Sequence, residues 1–130
     1  MAGSTYQIQV RHIVVGEKEV AELLLETINA APSGTARVKL FMKLAEKYSQ
    51  CPSRVDGGNL GWLELEWNMT DPRMPRGGFK KLENEELYEF IKENADKKTM
   101  DPKIASGPVK THEGYHVVII ANKIKTERIL

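Results

Sequence analysis

The sequence predicts an α+β domain built around a small mixed or antiparallel sheet. Three observations carry that expectation. The hydropathy pattern alternates between a two-residue and a 3.6-residue period in the order strand, helix, helix, strand, helix, strand, strand. The chain is 130 residues long, with 41% hydrophobic and 28% charged residues, ordinary proportions for one globular unit. It carries one cysteine, which excludes an internal disulfide framework and any all-cysteine zinc site, so packing must hold it together. We find no internal repeat, low-complexity tract or linker, and expect a single domain over residues 6–125.

Each element follows from its local pattern. Tyr6 to Val15 alternates Tyr6, Ile8, Val10 and Val14 against Gln7, Gln9 and Arg11, a half-buried strand that Gly16 ends. Glu17 to Ala30 is a helix with a stripe of Val20, Leu23, Leu24 and Ile28 and acidic residues at its start. Ala31-Pro32-Ser33-Gly34 breaks it. A second helix runs from about Ala36 to Tyr48, with Phe41, Leu44, Ala45 and Tyr48 on one side and Ser33 or Thr35 as its cap. Ser49 to Gly58 is rich in turn residues, and Asn59 to Glu66 is a short strand. Trp67 to Phe79, with two prolines and Gly77-Gly78, reads as loop. Asn84 to Lys98 is a third helix, capped by Asn84 and burying Leu87, Phe90 and Ile91. Lys103 to Thr111 and Tyr115 to Lys125 form a hairpin around His112-Glu113-Gly114, with Gly114 at the position that needs positive φ. The run Val117 to Ala121 marks the last strand as central.

Charge narrows the classes of function. Lys plus Arg is 19 and Asp plus Glu is 18, a formal net charge of +1. That balance argues against a protein whose main work is to grip nucleic acid or an anionic membrane. No stretch approaches the ~18 consecutive apolar residues of a membrane span. The start, MAGSTYQIQV, lacks the basic and apolar regions of a signal peptide. If the chain is complete, these features predict a cytoplasmic monomer; for a domain excised from a larger protein the compartment stays open.

Two histidines stand out. His12 and His116 lie mid-strand in the two most apolar strands, in phase with Val10 and Val14 and with Val118 and Ile120. Read singly, each is a core residue whose ring nitrogens must be satisfied. If the first and last strands are neighbours the two rings can meet, and a pair in the two most apolar strands is a costly way to build a core, which points to a site. Cys51 follows a helix beside Pro52 and Ser53; on residue type alone it is a small buried hydrophobe, and no hydrolase signature surrounds it. Cys51, His12, His112 and His116 have no recognisable metal-ligand spacing, so no metal is expected. Gly57, Gly58 and Gly61 lack the Lys-Ser/Thr of a phosphate loop and read as a turn. Trp62, Trp67, Met69, Met74 and Phe79 are either core or the lining of an apolar recess.

Three blocks, VRHIVV, KLAEKYSQCPSRVDGGNLGW and SGPVKTHEGYHVVII, resemble in order the strand, the helix-to-strand stretch and the final hairpin of parvulin-type peptidyl-prolyl cis/trans isomerases. They frame about residues 8 to 121, nearly the whole chain. The resemblance implies a four-stranded, mostly antiparallel sheet with three to four helices. It implies a proline isomerase acting on peptides or unfolded protein clients, without nucleic acid or membrane. The alternative within the family is a weakly catalytic or non-catalytic peptide-binding module. Carried over by position, His12 and His116 match the family's paired histidines. Cys51 matches a site filled by Cys or Asp, Thr111 a hydroxyl beside the second histidine, and Leu60 a leucine of the pocket wall. The middle departs from the pattern. Between Gly61 and Gly107 parvulins have roughly half as many residues, including a Met-x-x-x-Phe segment that builds the proline pocket. Met74-Pro75-Arg76-Gly77-Gly78-Phe79 is its counterpart, one residue longer; the rival alignment puts Leu87 at the Phe. Glu113 stands where some relatives have Ser. Phosphate-directed parvulins carry a basic cluster after the first strand, whereas Val15-Gly16-Glu17-Lys18-Glu19 flanks one Lys with two carboxylates.

The chemistry so implied needs no cofactor. An X-Pro bond turns over a barrier of about 20 kcal/mol set by its partial double bond, and no bond has to break. The protein must bind the twisted amide better than either planar form. In this reading Met74, Phe79 and Leu60 hold the pyrrolidine ring, while the two histidines and Thr111 form a hydrogen-bonded floor that positions Cys51.

Overall fold

The computed structural model describes residues 3–66, 82, 84–96 and 103–128. Its elements are β1 (Gly3–Val15), α1 (Lys18–Asn29), α2 (Gly34–Tyr48), a 3-10 turn (Pro52–Asp56), β2 (Asn59–Glu66), α3 (Glu85–Asp96), β3 (Ser106–Thr111) and β4 (Gly114–Arg128). The four strands form one sheet in the order β2-β1-β4-β3, and every neighbouring pair is antiparallel. The first and last strands are therefore the central pair, buried on both faces, as the apolar run in β4 requires.

Each sheet face packs against its own helices. Ile13, Val15, Val117 and Ile119 meet Ala21, Leu24 and Ile28 of α1 and Phe41 and Ala45 of α2. On the other face Ile8, Val10, Leu63, Val118 and Ile120 meet Leu87 and Ile91 of α3. The result is a three-layer arrangement with a core on each side of the sheet.

Several boundaries differ from the sequence expectation for physical reasons. β1 and β4 run further, since Gly3 pairs with Arg128 and each strand extends the other. β3 starts at Ser106 rather than Lys103, because Ala105 gives both backbone groups to the Asn29 side chain of α1. The buried stripe of α1 is Ala21, Leu24 and Ile28, while Val20 and Leu23 are exposed. The small Ala21 lets the helix approach the sheet, which turns Val20 and Leu23 outward. Tyr48 also faces solvent, with Lys47 Nζ 5.3 Å from the centre of its ring. Ser33, not Thr35, caps α2, accepting from Ala36 N–H at 3.1 Å. Trp67, Met69, Met74 and Phe79 lie outside the described residues.

Each strand pairing carries a one-residue slip, and two of the three, in β4 and β2, set the register of β1 around His12. In β4 the register slips at Ala121, so Gln9 faces Asn122 and Val10 faces Ile120. Continued without the slip, the outer register would put His12 opposite Ile119 and His116 on the far face of the sheet. The bulge restores parity, and His12 and His116 share a face. In β2 the slip falls at Leu60, between the pairs Val10–Gly61 and Arg11–Asn59.

Candidate active site

In the register after the Ala121 bulge, His12 faces Val118 and Val14 faces His116. The two imidazoles are thus diagonal neighbours on adjacent strands, a spacing that long side chains bridge. Their rings stack with centroids 5.2 Å apart and planes at 27°, and the two Nδ1 atoms are 3.1 Å apart. Thr111, at the end of β3, puts Oγ1 2.6 Å from His116 Nε2. His12, His116 and Thr111 are all buried.

The position of each proton follows from counting donors. Thr111 Oγ1 accepts from Asn84 Nδ2 at 3.0 Å and from the Glu113 N–H at 3.1 Å. A hydroxyl has two acceptor sites and one hydrogen, so the Thr111 O–H donates to His116 Nε2. His116 then carries its proton on Nδ1 and donates it to His12 Nδ1. His12 keeps its proton on Nε2. That atom is buried and has no hydrogen-bond partner among the described residues. The chain of hydrogen bonds ends in one unused donor.

Burial keeps both rings neutral. His12 is lowered to about 4, first by loss of solvent and then by the repulsion of a charged His116, with Glu113 acting the other way. His116 is also lowered by burial, against the attraction of Glu113 and Glu86.

Cys51 enters through the backbone. The segment from Ser49 to Gly58 is latched to β1 at three successive points. Ser49 Oγ accepts from the Val14 N–H at 3.1 Å and from the Cys51 N–H at 3.3 Å, and Gln50 N–H donates to Val14 O at 2.8 Å. The His12 N–H donates to Gly58 O at 2.9 Å. Arg11 Nη1 donates to the carbonyls of Asp56 and Gly57 at the end of the 3-10 turn. Gly58 sits at φ +81, and a Cβ there would collide with His12 O. Cys51 is half-buried at the start of this latched turn. Among the described residues no hydrogen bond joins its thiol to a histidine. Ser53 Oγ, two residues on, is buried and has no hydrogen-bond partner among the described residues.

Leu60, at the β2 bulge, is half-buried against the core on the α3 face, together with Leu82 and Phe90. Leu87 belongs to that core itself, with 1% of its surface exposed. Met74 and Phe79 fall outside the described residues. Sequence reasoning took Asn84 only as a helix cap and missed its bond to Thr111, 27 residues away. It also missed Ser49, whose pairing with β1 leaves no local pattern.

A four-stranded antiparallel sheet between helices, with paired histidines at its centre, defines a class of small α+β domain. Comparison with known proteins gives the family. Residues 12–122 match the rotamase family model, the PpiC-type PPIase domain. The chain belongs to this family of peptidyl-prolyl isomerase domains. It is 29% identical over 112 residues to the foldase protein PrsA of Bacillus subtilis (strain 168), covering 86% of this chain and 29% of that protein. The chain thus spans less than a third of that relative. Its fold is similar to the parvulin domain of PpiD from E. coli, with a TM-score of 0.57, 22% identity, and 92% and 90% of the two chains covered. It is also similar to one of two SurA-like chaperones of Campylobacter jejuni, the virulence factor PEB4 and the periplasmic protein Cj1289. There the TM-score is 0.64 and the identity 22%, over 95% of this chain and 42% of that one. The family supports a peptidyl-prolyl isomerase or foldase role.

Proposed function

We propose that this domain is a peptidyl-prolyl cis/trans isomerase that acts on X-Pro bonds of peptides and folding proteins by non-covalent stabilisation of the twisted amide. One observation carries the reading. A buried chain of hydrogen bonds from Asn84 through Thr111 and His116 to His12 ends in a donor at His12 Nε2 that has no partner among the described residues. A buried donor left unused costs about 1–3 kcal/mol, which a fold keeps where a ligand completes the bond.

The twisted amide supplies the acceptors. Rotation breaks the conjugation between carbonyl and nitrogen, so the nitrogen lone pair becomes available and charge on the carbonyl group is redistributed. Groups fixed in a site with little water favour that state without rearranging. His12 and Cys51 are the groups assigned to the rotating side, and Leu60, with Met74 and Phe79, to the proline ring. Thr111 and His116 act through His12. Each tenfold gain in rate needs about 1.4 kcal/mol of preference for the twisted form.

The family fills the Cys51 position with Cys or Asp, so the thiol is assigned an electrostatic role and no covalent one. The expected result is that Cys51→Asp retains substantial isomerase activity and Cys51→Ala loses more. Turnover of a short Xaa-Pro peptide measures it. A folded Asp variant with no activity would instead call for nucleophilic chemistry at the sulfur.

The same assay tests the function and its specificity. Matched peptides with Glu, phosphoserine, Leu or Lys before proline should be turned over without preference for phosphoserine. The segment after β1 offers Glu17 and Glu19 around Lys18, and the Arg11 guanidinium is engaged by the carbonyls of Asp56 and Gly57. A phosphate of about −1.5 to −2 charge therefore lacks an arginine fork there. A phosphopeptide turned over ten times faster than the Leu peptide would overturn the specificity reading.

A second reading is a peptide-binding module that isomerises weakly. It is favoured by the partial coverage of the relatives, a foldase and a chaperone, in which this domain is one part. Saturable binding of unfolded chains without peptide turnover would favour it.

A further inference from the structure

We propose that Asn84, the cap of α3, is a positioning residue that sets the tautomers of the histidine pair and so leaves a donor, rather than an acceptor, at His12 Nε2. The inference rests on the isomerase reading only for its effect on turnover; the tautomers can be measured in a protein that turns nothing over.

The orientation of the Asn84 amide is fixed from two sides. Its Oδ1 accepts from the Leu87 N–H at 3.1 Å, the bond that caps α3. Its Nδ2 must therefore face the other way, where it meets Thr111 Oγ1 at 3.0 Å and the Glu113 carboxylate. A flipped amide would present nitrogen to the Leu87 N–H and oxygen to a carboxylate, losing the cap and adding a repulsion. Asn84 is itself buried, with 8% of its surface exposed.

The consequence passes along the chain of hydrogen bonds. With Asn84 and the Glu113 N–H both donating, Thr111 Oγ1 has no acceptor site left. It can only donate to His116 Nε2, and the tautomers of both rings follow. Without the Asn84 donor, one acceptor site on Thr111 is free. The hydroxyl can then accept from His116 Nε2–H, which reverses the bond between the rings and leaves His12 Nε2 bare. A bare nitrogen offers an acceptor to the substrate where the twisted amide presents lone pairs of its own.

α3 thus acts on the site through its N-cap residue. Glu86 reinforces the docking, because its Oε1 accepts from both the backbone N–H and Nδ1 of His112 at 3.1 Å, in the turn between β3 and β4. These contacts tie the start of α3 to the hairpin that carries Thr111 and His116.

The test is long-range proton–nitrogen NMR of the histidine rings, with peptide turnover alongside. The wild-type domain should show protonated Nδ1 and bare Nε2 on His116, and the opposite on His12. Asn84→Asp keeps an N-cap oxygen but removes the donor, so it should invert the pattern and lower kcat/KM tenfold or more. Asn84→Ser caps α3 without reaching Thr111 and should give a mixture of tautomers. A wild-type His116 protonated at Nε2 overturns the proposal, as do unchanged ring signals in both variants. Shifted ring signals with no turnover in any form would uphold the proton assignment and overturn the isomerase reading.

Discussion

Stability should fall by about 2 kcal/mol between pH 7.5 and pH 5 through His12 alone, and by on the order of 3 kcal/mol by pH 4. His12 is lowered from 6.5 to about 4 in the folded state. In this window the unfolded chain takes up a proton that the folded chain refuses, so lowering the pH favours unfolding. The loss begins as pH drops through the unfolded value and is complete below the folded one. His116, lowered as well, adds to it in the same direction. The proton arrangement explains the refusal. Protonating His12 at Nδ1 would set it against the Nδ1–H of His116, and protonating His116 at Nε2 would demand a third acceptor site on Thr111. Glu113 and Glu86 oppose the shift of His116, and the neighbouring His112 adds to it. Urea unfolding at pH 7.5, 6.5 and 5 measures the slope while most carboxylates stay ionised. His12→Gln should flatten it. A wild-type curve level across that range would show that the rings titrate as they do in water.

The elements were legible in the sequence because each is amphipathic at its own period, and burial enforces that period. Ile8, Val10 and Val14 alternate because β1 needs apolar groups on the α3 face, and the second helix holds Phe41 and Ala45 one turn apart. Asn84 was legible as a cap and Gly114, at φ +134, as a turn residue. The meeting of His12 with His116 followed from one assumption, that the first and last strands are neighbours. What the pattern could not carry is whatever depends on contacts distant in sequence. The bulge at Ala121, which puts both rings on one face, has no signature inside an unbroken apolar run. The exposure of Val20 and Leu23 depends on the angle at which α1 meets the sheet. The bond from Asn84 to Thr111 requires α3 to dock on the hairpin, and no local spacing encodes that. Leu87 shows the limit of reading by position, since alignment offered it as a pocket residue and packing makes it core.

Thr111→Val should cost roughly 3 kcal/mol of stability and most of the isomerase activity, while Thr111→Ser stays close to wild type. Valine matches threonine in shape, so the space around residue 111 stays filled and the loss reports the hydroxyl. Three groups depend on that oxygen: Asn84 Nδ2, the Glu113 N–H and His116 Nε2. The replacement strands His116 Nε2 in a fully buried position and removes a partner from each of the other two. Asn84 Nδ2 keeps its bond to the Glu113 carboxylate, which limits the cost there. A group left unsatisfied in the interior costs about 1–3 kcal/mol, and His116, with none of its surface exposed, is the least able to recruit water. With the hydroxyl gone, nothing keeps Nε2 of His116 free of a proton, and the donor at His12 Nε2 is no longer enforced. Serine keeps both the O–H and its acceptor sites and loses only a methyl group. Chemical unfolding and peptide turnover of the two variants, measured in parallel, give the comparison. If the valine variant were as stable as the serine one, the hydroxyl would not be the hub of this network. If it were stable and fully active, Thr111 would have no part in the site.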